Sequence, residues 1–93
     1  EMTNLFIPGS MLRCINICSL VQVFDDQMLI PCANAPWTAF LDPGETALLL
    51  DLSTHEALML IGNRVFSFDC QNNELQKYFK PVIINNQNKG CML

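Results

Sequence analysis

The fold is decided by two apolar runs that meet at a Gly-Asn pair: Ala57-Leu58-Met59-Leu60-Ile61-Gly62-Asn63-Arg64-Val65-Phe66-Ser67-Phe68. A Gly-led two-residue turn between runs of strand length is typical of a type I′ or II′ β-hairpin. This register pairs Ala57 with Phe68, Met59 with Phe66 and Ile61 with Arg64, and it leaves Leu58, Leu60, Val65 and Ser67 on the other face. It also sets Glu56 against Asp69, so we expect the ladder to fray at this like-charge pair.

A second hairpin is predicted upstream, where Leu20–Phe24 and Gln27–Ile30 flank the pair Asp25-Asp26. Aspartate tolerates the left-handed backbone that tight turns require. With a two-residue loop, the register pairs Val23 with Met28 and Val21 with Ile30.

A third pair of runs, Trp37–Leu41 and Thr46–Leu52, flanks Asp42-Pro43-Gly44-Glu45. Pro-Gly is a strong turn signal, and it predicts a hairpin whose loop is longer than two residues and carries a bulge. Leu48, Leu50 and Leu52 would then share one face. The alternative is a helix between Ala47 and Leu60, because Leu, Ala, Glu and Met favour helices. Turn chemistry at Ser53-Thr54 favours strands.

The two ends of the chain hold the remaining elements. Met11 to Ser19 is predicted to be a strand, and Leu5-Phe6-Ile7 a short edge strand closed by Pro8-Gly9. Near the C-terminus a helix is predicted, capped by Asn73 with Gln76 at its third position and ended by Pro81. Its apolar face would carry Leu75, Tyr78 and Phe79.

These elements predict an α+β fold that is mainly antiparallel β, a meander or partly closed sheet of about six to eight short strands with one short C-terminal helix. A chain of 93 residues has room for one domain. We place that domain at residues 1–84, followed by a polar C-terminal tail at 85–93.

The composition bounds the possible functions. Apolar residues make up 51% of the chain and charged residues 15%, which favours a packed core over disorder. Lys plus Arg total 5 against 9 Asp plus Glu, and the cations are dispersed. Nucleic-acid and anionic-membrane binding both need clustered cations, so we expect neither partner. The shortage of surface charge predicts that apolar surface meets another protein.

Cysteine usage indicates a reducing compartment. The chain has 5 cysteines, an odd number, and a disulfide framework usually has an even one. Its first residues, Glu1 to Asn4, lack the basic region of a signal peptide. We therefore expect an intracellular protein, cytoplasmic or nuclear, with buried reduced thiols at Cys14, Cys18 and Cys32.

No residue pattern indicates an enzyme or a cofactor. Cys14-x-x-x-Cys18 resembles half of a zinc site, but structural zinc needs four ligands, and the other candidates (Cys32, His55, Cys70) show no paired spacing. His55 lies in a predicted exposed turn, and the four glycines form no phosphate-binding loop. Two alternatives stay open: a cysteine-based zinc or thiol site, and a small barrel that holds an apolar ligand.

The hairpin Val21-Gln22-Val23-Phe24-Asp25 followed by Leu29-Ile30, together with Thr38-Ala39-Phe40-Leu41-Asp42, resembles polo-box domains. A PH-like fold has a similar order of strands and helix. The resemblance covers about a quarter of the chain, through apolar motifs of low specificity. It implies a six-stranded antiparallel sheet on a helix and a role in dimerisation or partner docking. Where phosphopeptide-binding polo boxes have His and Lys, this chain has Asp26, Gln27 and Met28, so phosphate recognition is not implied.

The sequence as a whole predicts a non-catalytic protein-interaction, scaffold or dimerisation module, whose partner is another protein or a second copy. Trp and Tyr are enriched at interfaces, and an exposed edge strand can pair with a partner. The candidate interface residues are Leu5, Phe6, Ile7, Trp37 and Tyr78. For Phe79 we expect burial against the sheet instead.

Overall fold

The computed structural model describes residues 6–32, 37–70 and 74–83. Within these ranges lie eight strands and one short helix: β1 (Met11–Cys14), β2 (Cys18–Asp25), β3 (Ile30–Pro31), β4 (Trp37–Leu41), β5 (Thr46–Leu52), β6 (Glu56–Ile61), β7 (Arg64–Asp69), α1 (Leu75–Tyr78) and β8 (Phe79–Pro81). The predicted fold class is confirmed, because the strands form one mainly antiparallel sheet with a short helix near the C-terminus.

The sheet runs in the order β3-β2-β7-β6-β5-β1-β8, and β4 also pairs with β2. β3 and β4 both lie on the side of β2 away from β7, at opposite ends of that strand. The sheet is not closed into a barrel. Its margins are therefore β8 on one side and β3 with β4 on the other.

The β6–β7 hairpin has the predicted register at every pair, from Ile61 with Arg64 to Ala57 with Phe68. Gly62 has a φ of +67°, the left-handed conformation that the two-residue turn needs. The predicted fraying at Glu56 is wrong. That carboxylate accepts a 2.6 Å hydrogen bond from Ser67 Oγ, and the Cys70 N–H donates to the His55 carbonyl beyond the like-charge pair.

The hairpin after β2 exists, but its predicted register is wrong. Asp25 pairs with Ile30 and Phe24 with Pro31, so the loop has four residues instead of two. Asp26, Gln27 and Met28 all have positive φ. The Gln27 N–H donates at 2.7 Å to the carbonyl of Asn63, and this contact with the β6–β7 turn holds the loop.

The predicted β4–β5 hairpin is wrong, although both strands form. β4 pairs with β2, whereas β5 pairs with β1 and β6. Pro43-Gly44 makes the expected turn, with Gly44 at a φ of +98°. The residues of that turn bond to β1, since the Gly44 N–H donates to the Cys14 carbonyl and the Cys14 N–H to the Glu45 carbonyl, both at 2.8 Å.

Residues 47–60 form two strands, and the helical alternative is wrong. A register shift between Leu49 and Asp51 inserts a bulge in β5. The bulge puts Leu48, opposite Leu60, on one face and Leu52, opposite Ala57, on the other. The prediction that Leu48, Leu50 and Leu52 share a face is therefore wrong.

Two N-terminal predictions also change. The segment from Met11 to Ser19 is not one strand, because the chain turns at residues 15–17 between β1 and β2. Phe6 and Ile7 are not in a strand, and Leu5 lies outside the described residues. Phe6 packs instead against the core, and the Ser10 N–H donates to the Ile7 carbonyl around Pro8-Gly9.

The helix is shorter than predicted. It ends at Tyr78, Glu74 occupies the capping position, and Phe79 begins β8. Pro81 ends this edge strand instead of the helix, a position that tolerates proline. The predicted cap Asn73 and the predicted tail at 85–93 lie outside the described residues.

Most of the core lies on one face of the sheet, although Val65 on the other face is also fully buried. Paired residues share a face, and the buried positions of β1, β2, β5 and β6 alternate accordingly: Leu12, Cys14, Cys18, Leu20, Ala47, Leu49, Ala57 and Met59. Leu75 and Phe79 add to this cluster from the helix and β8. Since the helix has only four residues, much of the core is buried by the curvature of the sheet itself.

Met59 tests the position of this core. It is 0% exposed, so Met59→Ala should leave a cavity and lower the free energy of unfolding by about 2 to 5 kcal/mol. Met11→Ala is the matched control, because Met11 is 41% exposed on the other face and should cost less than about 1 kcal/mol. Urea denaturation measures both. Equal losses would contradict a core on the Met59 face.

Candidate functional site

The three strands at the margins of the sheet differ in how their edges are protected. β3 contains Pro31, and β8 contains Lys80 and Pro81. Proline and lysine are the residues that commonly prevent an edge strand from pairing with another chain. β4 has the sequence Trp-Thr-Ala-Phe-Leu, with neither proline nor charge. Within the described ranges, β4 is therefore the edge that lacks such protection.

β4 also carries two exposed aromatic side chains. Trp37 is 69% exposed and Phe40 is 67% exposed. The three-residue spacing places them on opposite faces of the strand. A strand that added to this edge would contact an aromatic side chain on each face.

The direction of the β4 backbone groups follows from the neighbouring ladders. The Cys70 N–H donates to the His55 carbonyl, and alternation along the β6–β7 ladder then turns the backbone groups of Ser67 toward β2. Ser67 lies opposite Val21, so Val21 faces β7 and not β4. Thr38, the β4 partner of Val21, therefore directs its N–H and C=O groups away from β2, and so does Phe40.

A groove of about 610 Å³ runs beside this edge. Apolar side chains of the core face, Leu20, Ile61 and Phe66, line it together with β4 residues 39–41. The other wall consists of residues 44–46 and Arg13, whose Nη1 donates to the Gly44 carbonyl at 3.1 Å. The groove can therefore accept apolar side chains, and its rim carries one cation and one carboxylate, that of Glu45.

The structure separates the candidate interface residues. Trp37 lies on the exposed β4 edge, and Ile7 is 57% exposed in the N-terminal segment. Phe6 is half-buried against the core, and Leu5 lies outside the described residues. Tyr78 is half-buried and packs edge-on against Phe68, with ring centroids 5.3 Å apart. Phe79 is 1% exposed, so its predicted burial is confirmed.

Sequence reasoning missed Phe40 and the free edge of β4. The sequence predicts a hairpin between Trp37–Leu41 and Thr46–Leu52, and such a hairpin would pair this edge. No local signal reveals that β4 pairs with β2 instead, because the pairing joins segments that a loop and β3 separate. The absence of proline and charge in the run is the signal that could have identified it as a vulnerable edge.

The thiols form the second cluster of interest. Cys14 and Cys18 hydrogen-bond to each other, and Cys14 Sγ also donates to the Asn16 carbonyl at 3.0 Å. Burial raises the pKa of Cys18 to about 12, and the neighbouring thiols of Cys14 and Cys70 add to this shift. Burial likewise raises the pKa of Cys14 and of Cys70. Nucleophilic cysteines need a lowered pKa, so this cluster has the chemistry of core thiols.

No group of three His, Cys, Asp or Glu side chains in the described part of the chain is arranged to hold a metal ion. His55 is exposed in the turn between β5 and β6, as predicted. A cavity of about 430 Å³ near Cys18 and Cys70 is lined by two carboxylates, Asp69 and Glu74, and by Tyr78.

Among the residues described, no helix has the length and apolarity to cross a bilayer. Comparisons with protein-family models, with curated proteins and with solved structures find no match to this chain. The functional argument therefore depends on the geometry of β4 and its groove.

The raised pKa of Cys18 predicts a loss of stability in alkali. The folded state keeps this thiol protonated to about pH 12, whereas the unfolded chain ionises near its ordinary pKa of 9.0. The protonated Cys18 thiol therefore makes its full contribution to the free energy of unfolding below pH 9.0. This contribution is lost progressively up to about pH 12. Urea denaturation from neutral to alkaline pH should show the decline. Cys18→Ala should make this decline shallower, and more so than Cys32→Ala, whose thiol also has a raised pKa. An unchanged slope in Cys18→Ala would contradict this prediction.

Proposed function

We propose that this chain is a non-catalytic protein-interaction module that takes up an extended segment of another polypeptide along the free edge of β4. The observation that carries the proposal is an unprotected edge strand with an exposed aromatic side chain on each face. Trp37 and Phe40 are 69% and 67% exposed. Addition of a strand to a sheet edge is a common mode of peptide recognition.

The backbone of β4 supports this mode. Thr38 and Phe40 direct their N–H and C=O groups away from β2. An incoming strand can hydrogen-bond to these groups. Main-chain hydrogen bonds give affinity in strand addition, and side-chain pockets give specificity.

The groove supplies such a pocket. Its lining of Leu20, Ile61 and Phe66 is apolar, and its volume of about 610 Å³ is within the range of sites that bind ligands. Alternate side chains of an added strand would point toward this surface. The expected partner segment is therefore extended, largely uncharged and apolar at every second position.

The strength of the interaction is expected to be modest. Burying an aromatic side chain stabilises a complex by about 1.5 to 3 kcal/mol, before the entropy cost of association is subtracted. Two aromatics and a few main-chain hydrogen bonds fit a reversible contact. The resemblance to polo-box domains implies the same class of role, dimerisation or partner docking, and remains part of the proposal.

Selection from a displayed library of linear peptides tests the proposal. Peptides selected on the wild-type domain should bind Thr38→Pro and Phe40→Lys at least about tenfold more weakly, since a loss of 1.4 kcal/mol corresponds to tenfold. Thr38→Pro removes an N–H on the free edge, and Phe40→Lys replaces an exposed apolar anchor with a charge.

Ile83→Lys is the matched control, because Ile83 is 79% exposed and follows β8, which is at the other end of the strand order from β4. It should leave peptide binding unchanged. Circular dichroism and urea denaturation confirm that each variant is folded. Peptides that bind the two β4 variants as tightly as the wild type would contradict the proposal.

A further inference from the structure

We propose that Ala39 determines which segment β4 takes up, because the groove beside it requires a large, uncharged apolar side chain at the opposite position of that segment. This inference rests on the proposed function and states the chemistry of its partner. The partner is an extended, antiparallel segment of another protein, and we call its residue opposite Ala39 the anchor. Leu, Met and Phe are the side chains that fit this description.

Ala39 lies on the face of β4 that points toward the core. It pairs with Leu20, which is 1% exposed, and it is itself half-buried against the core cluster. Side chains of paired residues point to the same side of a sheet. The anchor of an added strand would therefore point toward the core as well.

The groove begins at this position. Its lining includes Leu20, Ile61 and Phe66 of the core face, and its volume is about 610 Å³. Alanine is the smallest residue of β4, so Ala39 covers little of this apolar lining. A large anchor would fill the space that Ala39 leaves.

The backbone brings the anchor close to Ala39. Thr38 and Phe40 direct their N–H and C=O groups toward the free edge, so they form the hydrogen-bonded pairs with an antiparallel strand. Ala39 then lies in the non-hydrogen-bonded pair between them. The Cα atoms of such a pair are about 4.5 Å apart, against about 5.5 Å in a hydrogen-bonded pair. At this short distance, a large side chain fits best opposite a small one.

The neighbouring positions on the same face of β4 leave no such space. Leu41 is 5% exposed, and its carbonyl lies 3.5 Å from Cys14 Sγ, so β1 adjoins this end of β4. Trp37 has a large side chain of its own. Ala39 is therefore the position at which β4 admits a side chain from a partner.

The charges around the groove favour an uncharged anchor. Arg13 Nη1 donates to the Gly44 carbonyl at 3.1 Å, and Glu45 Oε1 accepts from the Asp42 N–H at 2.9 Å. Each charged group of the rim thus already has a partner in the turn after β4. A charged anchor would lose its hydration against the apolar lining, and this loss is costly.

Exchange of size across the pair tests the inference. A displayed library of linear peptides is selected on the wild-type domain and, in parallel, on Ala39→Leu. The wild type should select a large apolar residue at one position. Ala39→Leu should select Gly, Ala or Ser there, because the leucine occupies the groove from the β4 side.

Affinities of a single peptide pair make the same test quantitative. A peptide selected on the wild type should bind the wild type at least about tenfold more weakly when its anchor is changed to Ala. On Ala39→Leu, the peptide with the Ala anchor should bind at least as tightly as its parent.

Thr38→Leu is the matched control, because it introduces the same side chain at an exposed position on the other face of β4. It should keep the preference for a large anchor. Urea denaturation confirms that both leucine variants are folded.

A photocrosslinking measurement uses the wild-type domain and does not depend on the folding of a variant. A selected peptide with benzoylphenylalanine as its anchor should crosslink to Leu20, Ile61 or Phe66, or to β4 residues 39–41. Crosslinks confined to other residues would overturn the inference.

The inference and the proposed function fail in different ways. Peptides that are weakened by Thr38→Pro, but whose anchor has the same size preference on the wild type and on Ala39→Leu, would overturn the inference and leave β4 as the binding edge. Peptides that Thr38→Pro does not weaken, or a library that yields no binding peptide, would overturn both.

Discussion

The ladder that joins β1 to the start of β5 holds the fold in its curved shape. Cys14 and the turn before β5 exchange two backbone hydrogen bonds of 2.8 Å, with Gly44 and Glu45. These bonds bring the end of β4, at Leu41, next to β1, although β4 itself pairs with β2 at the far margin of the sheet. A chain with one four-residue helix can bury its core in this way, because the sheet bends around its own apolar face.

The same arrangement leaves one edge of β4 open among the described residues. The turn draws Leu41 toward β1, but within these ranges the rest of β4 has a partner strand on one side only. Proline and lysine protect the other two marginal strands, and β4 has exposed aromatics instead. The free edge of β4 is therefore a consequence of the way in which the sheet bends around its own core. An acidic chain with dispersed cations fits a protein partner at this edge better than a polyanion.

The sequence predicted those parts of the fold that local chemistry decides. The Gly62-Asn63 turn fixed the β6–β7 register because two residues of left-handed backbone leave little choice of pairing. The pair Asp25-Asp26 did not determine the length of the loop between β2 and β3. There the hydrogen bond from Gln27 to Asn63, a contact between distant turns, stabilises a four-residue loop that no local pattern encodes.

The pairing of β4 could not be predicted for a related reason. The run Trp37–Leu41 and the run Thr46–Leu52 flank a good turn, yet they pair with different strands. That choice depends on contacts between segments that are distant in the sequence, which no local pattern encodes. Trp37 could be identified from its residue type, whereas Phe40 and the free backbone edge depend on tertiary structure.

Amide hydrogen exchange of β4, resolved by residue, tests the central claim most directly. In dilute solution the account predicts that the amides of Trp37 and Ala39, which face β2, are protected, while those of Thr38 and Phe40 exchange rapidly. When a selected peptide is bound, protection should appear at Thr38 and Phe40. Equal protection of all four amides in dilute solution would show that the edge is already covered and would contradict the account.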